Sequence, residues 1–205
     1  RRIPMQWGGL ADPFDINEKK YGVGLCVLKI LKEKKYPVCF STKFGWWLED
    51  DRYTDLFEGA TYWNTKFSII NLDSNKAKMI EQGLPSPEKR LQFIKQYCQM
   101  ETGGATLRLR PFIIGLSDYN EEYLDLITQA SKNGATAVST EFFCLEGRGD
   151  FRVKERYAQM SEVIGFDIHD FYRKNSPRQS GYLRLNWKIK KPYIDKMKEL
   201  CDKLD

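Results

Sequence analysis

The sequence has no long apolar run and no block of like charge. A membrane-spanning helix needs roughly 18 or more consecutive apolar residues, and no such run occurs in this chain of mean hydropathy −0.56. Composition therefore excludes an integral membrane protein. The 33 Lys and Arg residues and the 28 Asp and Glu residues are spread along the chain and leave a net charge of +5. A charge of this size does not by itself indicate nucleic-acid binding.

Closely spaced cysteines are also lacking. The five cysteines are Cys26, Cys39, Cys98, Cys144 and Cys201. An odd number at such wide spacing indicates neither a disulfide framework nor a CxxC metal site. The N-terminal residues do not show the succession of charged, apolar and small residues that marks a signal peptide. We therefore expect a protein of the reducing cytoplasm.

The sequence does contain the material for a sizeable core. Its 205 residues are 41% hydrophobic and 14% aromatic, which suits a domain that needs no disulfide or metal staple. Short β-rich runs alternate with stretches of helical spacing, a pattern typical of βαβ units in a parallel sheet. The predicted strands cover residues 3–7, 36–41, 66–70, 106–114 and 135–143.

The predicted helices lie between and after these strands. They cover residues 17–34, 48–57, a short segment from an Asp73 cap to Met79, and residues 85–99, 120–132, 153–164 and 192–204. Val23, Val27, Ile30 and Leu31 have helical spacing in the first of them. In the last, Pro192 is expected in the first turn. Gly147-Arg148-Gly149 is predicted to be a loop and residues 174–181 a polar, flexible segment. We therefore expect a parallel α/β domain over residues 1–146 and a mostly helical extension over residues 147–205.

Polar side chains follow the predicted strands where each strand ends. In parallel α/β proteins the loops at these carboxyl ends converge and carry the functional groups. The residues at these positions are the glycines Gly8 and Gly9 and the polar residues Asp12, Asp15, Glu18, Ser41, Thr42, Lys43, Ser68, Asn71, Asp73, Ser117, Asp118, Ser139, Thr140, Glu141 and Glu146. The sequence therefore predicts a functional site at this edge of the sheet.

Several of these segments follow one another in a recognisable order. They are Trp7-Gly8-Gly9-Leu10-Ala11-Asp12-Pro13-Phe14, Phe40-Ser41-Thr42-Lys43, Ser68-Ile69, Leu84-Pro85-Ser86-Pro87-Glu88-Lys89-Arg90-Leu91, Arg108-Leu109-Arg110-Pro111-Phe112-Ile113-Ile114-Gly115 and Ala137-Val138-Ser139-Thr140-Glu141-Phe142-Phe143. In this order they resemble the radical S-adenosylmethionine superfamily, in the branch of spore photoproduct lyase. The resemblance covers residues 3–146.

The resemblance implies a fold and a chemistry. The fold is a partial (β/α) barrel, similar to a TIM barrel, that holds a [4Fe-4S] cluster and S-adenosylmethionine. Reductive cleavage, with an electron donor such as flavodoxin or ferredoxin, gives a 5′-deoxyadenosyl radical that abstracts hydrogen from a substrate. The cofactor carries the difficult step, and the protein orients and shields it. The sequence does not assign the substrate.

The same resemblance implies roles for individual residues. Gly8 and Gly9 match the glycine-rich motif near the methionyl amino group, although Leu10 stands where the common form has Glu. Lys43 matches the lysine that meets the methionyl carboxylate, a suitable role for a compact cation. Ser68 matches a strand-end hydroxyl that bonds the same cofactor. The predicted cofactor-binding set is Gly8, Gly9, Asp12, Thr42, Lys43, Ser68, Arg110 and Glu141, and no catalytic residue is assigned.

The cluster motif of the superfamily has no counterpart in this sequence. Its three cysteines, usually CxxxCxxC, follow the first strand, because three thiolates must share one cluster. The cysteines here lack that spacing, and the first predicted strand looks like the second strand of the superfamily. We therefore expect cluster ligands upstream of Arg1. The alternative is a degenerate relative without radical chemistry.

Each candidate residue also has a structural interpretation. Gly8 and Gly9 suit a tight turn with positive φ, Asp12 suits a turn, and Lys43 suits a solvated surface. Glu141 suits either a contact to ribose or substrate or a buried ion pair with Arg108 or Arg110 of the neighbouring strand.

The remaining candidates are a thiol, an imidazole and several aromatic rings. Cys144 suits either apolar packing or hydrogen donation to a substrate radical. The single histidine, His169, is expected to be structural or exposed. Trp46, Trp47, Tyr62 and Trp63 suit packing or base stacking. Two further function classes remain open, namely a nucleic-acid-binding repair module and a catalytically silent interaction protein.

Overall fold

The computed structural model describes residues 2–146, 151–179 and 181–204. Within these ranges the strands form a five-stranded and a three-stranded sheet. The loop predicted at Gly147-Arg148-Gly149 lies outside the described residues. None of the described helices is long and apolar enough to cross a membrane.

The five-stranded sheet follows the order of the sequence. Its strands are β1 (Met5–Trp7), β2 (Val38–Thr42), β3 (Trp63–Ser68), β4 (Ala105–Phe112) and β5 (Ala135–Phe142), arranged β1-β2-β3-β4-β5. The first three neighbouring pairs are parallel. Bonds from Thr136 to Ala105 and from Thr140 to Leu109 keep one offset of 31 residues along β4 and β5, as a parallel pair requires. The predicted parallel α/β sheet is confirmed, and its closure into a barrel stays a prediction.

Helices connect these strands. They are α1 (Ile16–Tyr21), α2 (Val23–Glu33), α3 (Asp51–Phe57), α4 (Ser74–Ile80), α5 (Pro87–Cys98) and α6 (Glu122–Lys132), with 3-10 turns at Trp46–Glu49 and Tyr119–Glu121.

The helix predicted over residues 17–34 is two helices. Gly22 lies between α1 and α2 with φ of 64°, a left-handed conformation that ends α1. The buried carboxylate of Glu18 then reaches the start of α2, where it accepts hydrogen bonds from the backbone N–H groups of Gly24 at 2.6 Å and Leu25 at 2.8 Å. The Tyr53 hydroxyl donates a third bond to it, at 2.6 Å. Glu18 therefore satisfies N–H groups that no helical carbonyl can reach.

The apolar spacing predicted for this segment does not mark its buried face. Leu25 and Leu28 are buried, whereas Val23, Val27 and Ile30 are 69%, 39% and 58% exposed. Helix α2 is therefore apolar on two sides, and only one of them packs on the described chain.

The last segment contains more strand than predicted. Its elements are β6 (Cys144–Glu146), α7 (Phe151–Ile164), α8 (Ile168–Asn175), β7 (Arg178–Gln179), β8 (Tyr182–Arg184) and α9 (Trp187–Leu204). The three strands pair antiparallel in the order β6-β8-β7. Part of the segment predicted to be flexible, residues 174–181, thus has regular structure in α8 and β7, and its flexibility stays a prediction. Pro192 lies inside α9 rather than in its first turn, because the helix begins earlier, where Asn186 Oδ1 accepts from the backbone N–H of Ile189 at 3.1 Å.

The chain divides into two compact units. Unit 1 comprises Arg1–Ile69, Gly83–Arg108 and Gln129–Ser139, and unit 2 comprises Ile70–Gln82, Leu109–Thr128 and Thr140–Asp205. The division between residues 146 and 147 that the sequence suggests stays a prediction.

Each unit has its own core. That of unit 1 is a cluster of buried aromatic rings, in which Phe14 stacks on Trp47 at a centroid distance of 4.6 Å and Trp47 lies 4.5 Å from Phe57. That of unit 2 is built mainly from buried aliphatic side chains. Its members are Ile70, Ile113, Leu116, Leu145, Ile168, Tyr172 and Leu185.

Candidate functional site

The loop after β1 passes very close to the end of β2 in unit 1. Gly8 has φ of 103°, and a Cβ atom there would lie 2.1 Å from the backbone oxygen of Ser41. Only glycine fits this approach. Gly9 is different, because a Cβ atom there would meet no atom within 4 Å. Gly8 therefore shapes the loop, while the space beside Gly9 is open.

Asp12 ties this loop to the end of β2. Its Oδ1 accepts from the Thr42 hydroxyl at 2.7 Å and from the backbone N–H of Phe14 at 3.0 Å. Its Oδ2 accepts from the backbone N–H of Lys43 at 2.7 Å. The structure thus brings together four residues of the predicted site, Gly8, Asp12, Thr42 and Lys43. It also gives both carboxylate oxygens of Asp12 partners within the protein.

The environment of Asp12 changes its acidity. Burial raises the pKa of Asp12 above its ordinary value of 3.8. The hydrogen bonds from Lys43, Phe14 and Thr42, and the charge of Lys43, act in the opposite direction. Desolvation is the largest of these effects, so the tie is formed by a carboxylate that is costly to bury.

Ser68 ends β3 in the same unit and is also buried. Its backbone oxygen accepts from the Arg90 guanidinium at 2.9 Å, and Arg90 also donates to the Pro85 oxygen at 2.8 Å. Arg90 is only 2% exposed. Sequence reasoning missed this positioning residue, although its four-residue spacing from Ile94 places a charged residue on the buried face of α5, a signal of a paired arginine.

Other strand-end polar residues, in unit 2, hold loops together. Asn71 donates to the Leu116 oxygen at 2.6 Å. Asp118 accepts from the backbone N–H of Gly115 at 2.6 Å and from the Tyr193 hydroxyl at 2.8 Å. These contacts give Asn71 and Asp118 structural roles.

Arg110 and Glu141 form an ion pair in unit 2. The Arg110 Nε lies 2.7 Å from a Glu141 oxygen, and the two side chains are 35% and 46% exposed. The ion pair expected with Arg108 or Arg110 is present, with Arg110, but the expected burial of the pair is wrong. The pair is only partly buried, and the contact of Glu141 with ribose or substrate stays a prediction.

A cavity of about 210 Å³ opens beside Glu141 in the same unit. It is lined by Thr140, Glu141, Phe142, Phe143, Cys144, Arg184, Leu185, Lys190 and Ile194. Sequence reasoning placed Thr140, Glu141 and Cys144 at this strand end. It missed Arg184 and Lys190, because these residues of β8 and α9 are far from β5 in the sequence and lie beside it only in the folded chain.

The aromatic candidates pack rather than face solvent. Trp47 and Trp63 are fully buried, which is incompatible with stacking on a base. The Trp46 indole N–H donates to the Phe14 oxygen at 2.7 Å, and the Tyr62 hydroxyl donates to the Lys32 oxygen at 3.3 Å. His169 is exposed, as expected.

The described residues do not provide a metal-cluster site. No group of three or more His, Cys, Asp or Glu side chains in residues 2–146, 151–179 and 181–204 is arranged to hold a metal ion. The five cysteines all lie within the described residues, and none of them forms a disulfide there. A [4Fe-4S] cluster therefore does not fit the donor set of the described chain.

Comparison with known proteins supports the fold. No protein-family profile and no curated protein matches the sequence. Among solved structures, the chain is similar to SuiB of Streptococcus suis, crystallised bound to its precursor peptide SuiA, with a TM-score of 0.50 and 13% identity. The match covers 77% of this chain and 36% of SuiB. SuiB is a radical S-adenosylmethionine enzyme, so the likeness supports a fold of that type, and the narrower branch of spore photoproduct lyase stays a prediction.

Proposed function

We propose that the loops at the carboxyl ends of β1 and β2 bind S-adenosylmethionine, in a protein related to radical S-adenosylmethionine enzymes. The observation that carries the proposal is the Asp12 tie, which holds the glycine loop against Thr42 and Lys43. The likeness of the fold to SuiB supports it. Function in parallel α/β folds collects at such strand ends.

Gly9 and Lys43 suit the amino and carboxylate groups of the methionyl moiety. Gly9 is exposed, and the open space beside it leaves its backbone accessible to a ligand. Lys43 is half-buried at the end of β2 and supplies a compact cation for a carboxylate. Asp12 and Thr42 act here as positioning residues, because their polar atoms already bond within the protein. Ser68, held by Arg90, is proposed as the hydroxyl from β3.

The proposal for this chain is limited to binding. When bound to a cluster, S-adenosylmethionine supplies radical chemistry, but the donor set of the described residues does not fit a [4Fe-4S] cluster. An electron donor such as flavodoxin or ferredoxin belongs to that chemistry and stays a prediction. The SuiB structure contains a peptide, so we propose a peptide, rather than a nucleic acid, as the substrate class.

Titration calorimetry with S-adenosylmethionine tests the proposal. We expect saturable binding that weakens about tenfold or more in Lys43→Ala, because a charged contact to a carboxylate is lost. Lys95→Ala is the matched control, since Lys95 is exposed on α5 of the same unit, and its affinity should not change.

Gly9→Ala separates the site from the fold. A Cβ atom there touches nothing in the protein, so the melting temperature should stay near that of the wild type while affinity for S-adenosylmethionine falls. Absence of measurable binding to the wild type would refute the proposal. Equal weakening by Lys43→Ala and Lys95→Ala would remove Lys43 from the site.

A further inference from the structure

The cavity beside Glu141 in unit 2 combines apolar walls with cations. Phe142, Phe143, Leu185 and Ile194 supply hydrophobic surface around a volume of about 210 Å³. Small-molecule sites combine apolar walls with polar groups that fix orientation, and this cavity has polar and apolar surface in similar amounts. The volume accommodates one compact organic group.

More cationic than anionic side chains line the cavity. Arg184 and Lys190 are the cations, and Glu141 is the anion. Arg110 does not line the cavity, but its Nε lies 2.7 Å from a Glu141 oxygen. The Glu141 carboxylate is therefore already neutralised. Within the described ranges, neither Arg184 nor Lys190 forms an ion pair, and the Arg184 guanidinium only lies 5.8 Å from the Tyr182 ring centroid. The cavity therefore presents a net positive charge.

The start of α9 adds to the positive charge at the cavity. Leu185 and Lys190 line the cavity on either side of Asn186, which caps the helix through Ile189. The N-terminal end of an 18-residue helix carries partial positive charge. Thr140 adds little as a donor, because its hydroxyl already donates to the Leu109 oxygen at 3.2 Å.

We propose that this cavity binds the carboxylate of an organic ligand with a short apolar body, such as an amino-acid residue at the end of a peptide. The carboxylate would meet Arg184 and Lys190, and the apolar body would contact the aromatic and aliphatic walls. A bare phosphate would use the cations but leave those walls without a partner. The inference rests on unit 2 alone, so it can fail or succeed independently of S-adenosylmethionine binding by unit 1.

N-acetyl-leucine and N-acetyl-leucinamide form a matched pair of probes. They share an apolar body and differ in the charge of one terminal group. We expect the intact chain to bind N-acetyl-leucine with millimolar affinity, measured by calorimetry, and to bind the amide about tenfold more weakly or not at all. Arg184→Gln and Lys190→Gln should each weaken binding of the carboxylate by a similar factor. Lys198→Gln, at an exposed position on α9 outside the cavity, should leave it unchanged.

The Arg110–Glu141 pair gives a second, indirect test. Arg110→Gln leaves the Glu141 charge unpaired beside the ligand, so binding of N-acetyl-leucine should weaken. Adding Glu141→Gln in the same chain removes that charge and should restore the affinity. A merely structural role for Arg110 would not give this rescue.

Three results would overturn the proposal. Equal affinity for the carboxylate and the amide would show apolar binding alone. Inorganic phosphate that binds as tightly as N-acetyl-leucine would show a general anion site. No binding of N-acetyl-leucine by a folded wild-type chain, checked by circular dichroism, would show that the cavity does not take such a ligand.

Discussion

Removal of the Glu18 carboxylate should destabilise unit 1 more than removal of any exposed charge. Glu18 is 8% exposed, and it accepts three hydrogen bonds, from Gly24, Leu25 and the Tyr53 hydroxyl. The pKa of Tyr53 lies above its ordinary value, first because the hydroxyl is buried and second because it donates a hydrogen bond to Glu18. Glu18→Ala leaves all three donors without their acceptor.

The size of the effect follows from the donors left unpaired. A buried donor that loses its partner costs about 1–3 kcal/mol. Water that enters the space of the lost side chain offsets part of this for some donors, so we expect Glu18→Ala to lower the free energy of unfolding by about 4 kcal/mol. Glu18→Gln retains one acceptor oxygen but loses the charge, and about 2 kcal/mol is expected. These values are a large part of the roughly 5–15 kcal/mol that stabilises a typical domain.

Urea unfolding followed by tryptophan fluorescence measures the loss. Four of the five tryptophans, Trp7, Trp46, Trp47 and Trp63, lie in unit 1, so the signal reports mainly on that unit. Glu33→Ala, on α2 of the same unit, is the control, because its side chain is 70% exposed in a surface pair with Lys34, and such pairs contribute about 0–1 kcal/mol. If Glu18→Ala and Glu33→Ala lose similar amounts, the capping role of Glu18 is wrong.

Three further predictions concern the loop tie and the ion pair. Gly8→Ala should destabilise the fold by about 2 kcal/mol or more, because φ is 103° and the new Cβ would meet the Ser41 oxygen; an unchanged melting temperature would contradict this. For Asp12, a raised pKa means that its contribution to stability is complete below pH 3.8 and is lost as pH rises through the raised value. The difference in unfolding free energy, wild type minus Asp12→Asn, should therefore fall with increasing pH in urea titrations, and a rising difference would be the wrong sign. The Arg110–Glu141 pair is partly exposed, so a double-mutant cycle should give a coupling of about 1 kcal/mol or less that shrinks at high salt; a coupling well above that would contradict the surface character of the pair.

Local signals predicted several elements well. Asp73 caps α4 through the backbone N–H groups of Asn75 and Lys76, and Ser86 caps α5, which has Pro87 in its first turn. These signals depend on neighbours within one helical turn, which is why the sequence alone is sufficient.

Elements fixed by distant partners were predicted less well. Strand β3 was expected over residues 66–70 and instead runs from Trp63 to Ser68. Asn64 looks unlike a strand residue in sequence, but in the sheet its side chain donates to the Gly104 oxygen at 2.9 Å. Ile69 and Ile70 are buried without belonging to the strand. Apolar character therefore predicted burial correctly and the strand limits incorrectly.

The candidate site shows the same division. The sequence identified Asp12, Thr42 and Lys43 as residues that belong together, and the structure places them in contact. The reason for the contact was not accessible, because the Asp12 oxygens bond to groups about 30 residues away. Arg184 and Lys190 were missed for a similar reason, since nothing in their local sequence indicates the cavity that they line.

The sequential order of the five-stranded sheet affects how such a protein can change over generations. Strands β2, β3 and β4 each pair with the strands that precede and follow them in the sequence. The pairings among the five strands therefore do not depend on any element beyond the outer edges of β1 and β5. A strand–helix repeat can be gained or lost at either outer edge without rewiring the remaining connections. The glycine loop and its Asp12 contacts need only β1 and β2, whereas the cavity of unit 2 is built from the end of β5 together with β8 and α9. Each could therefore be inherited, modified or lost without the other.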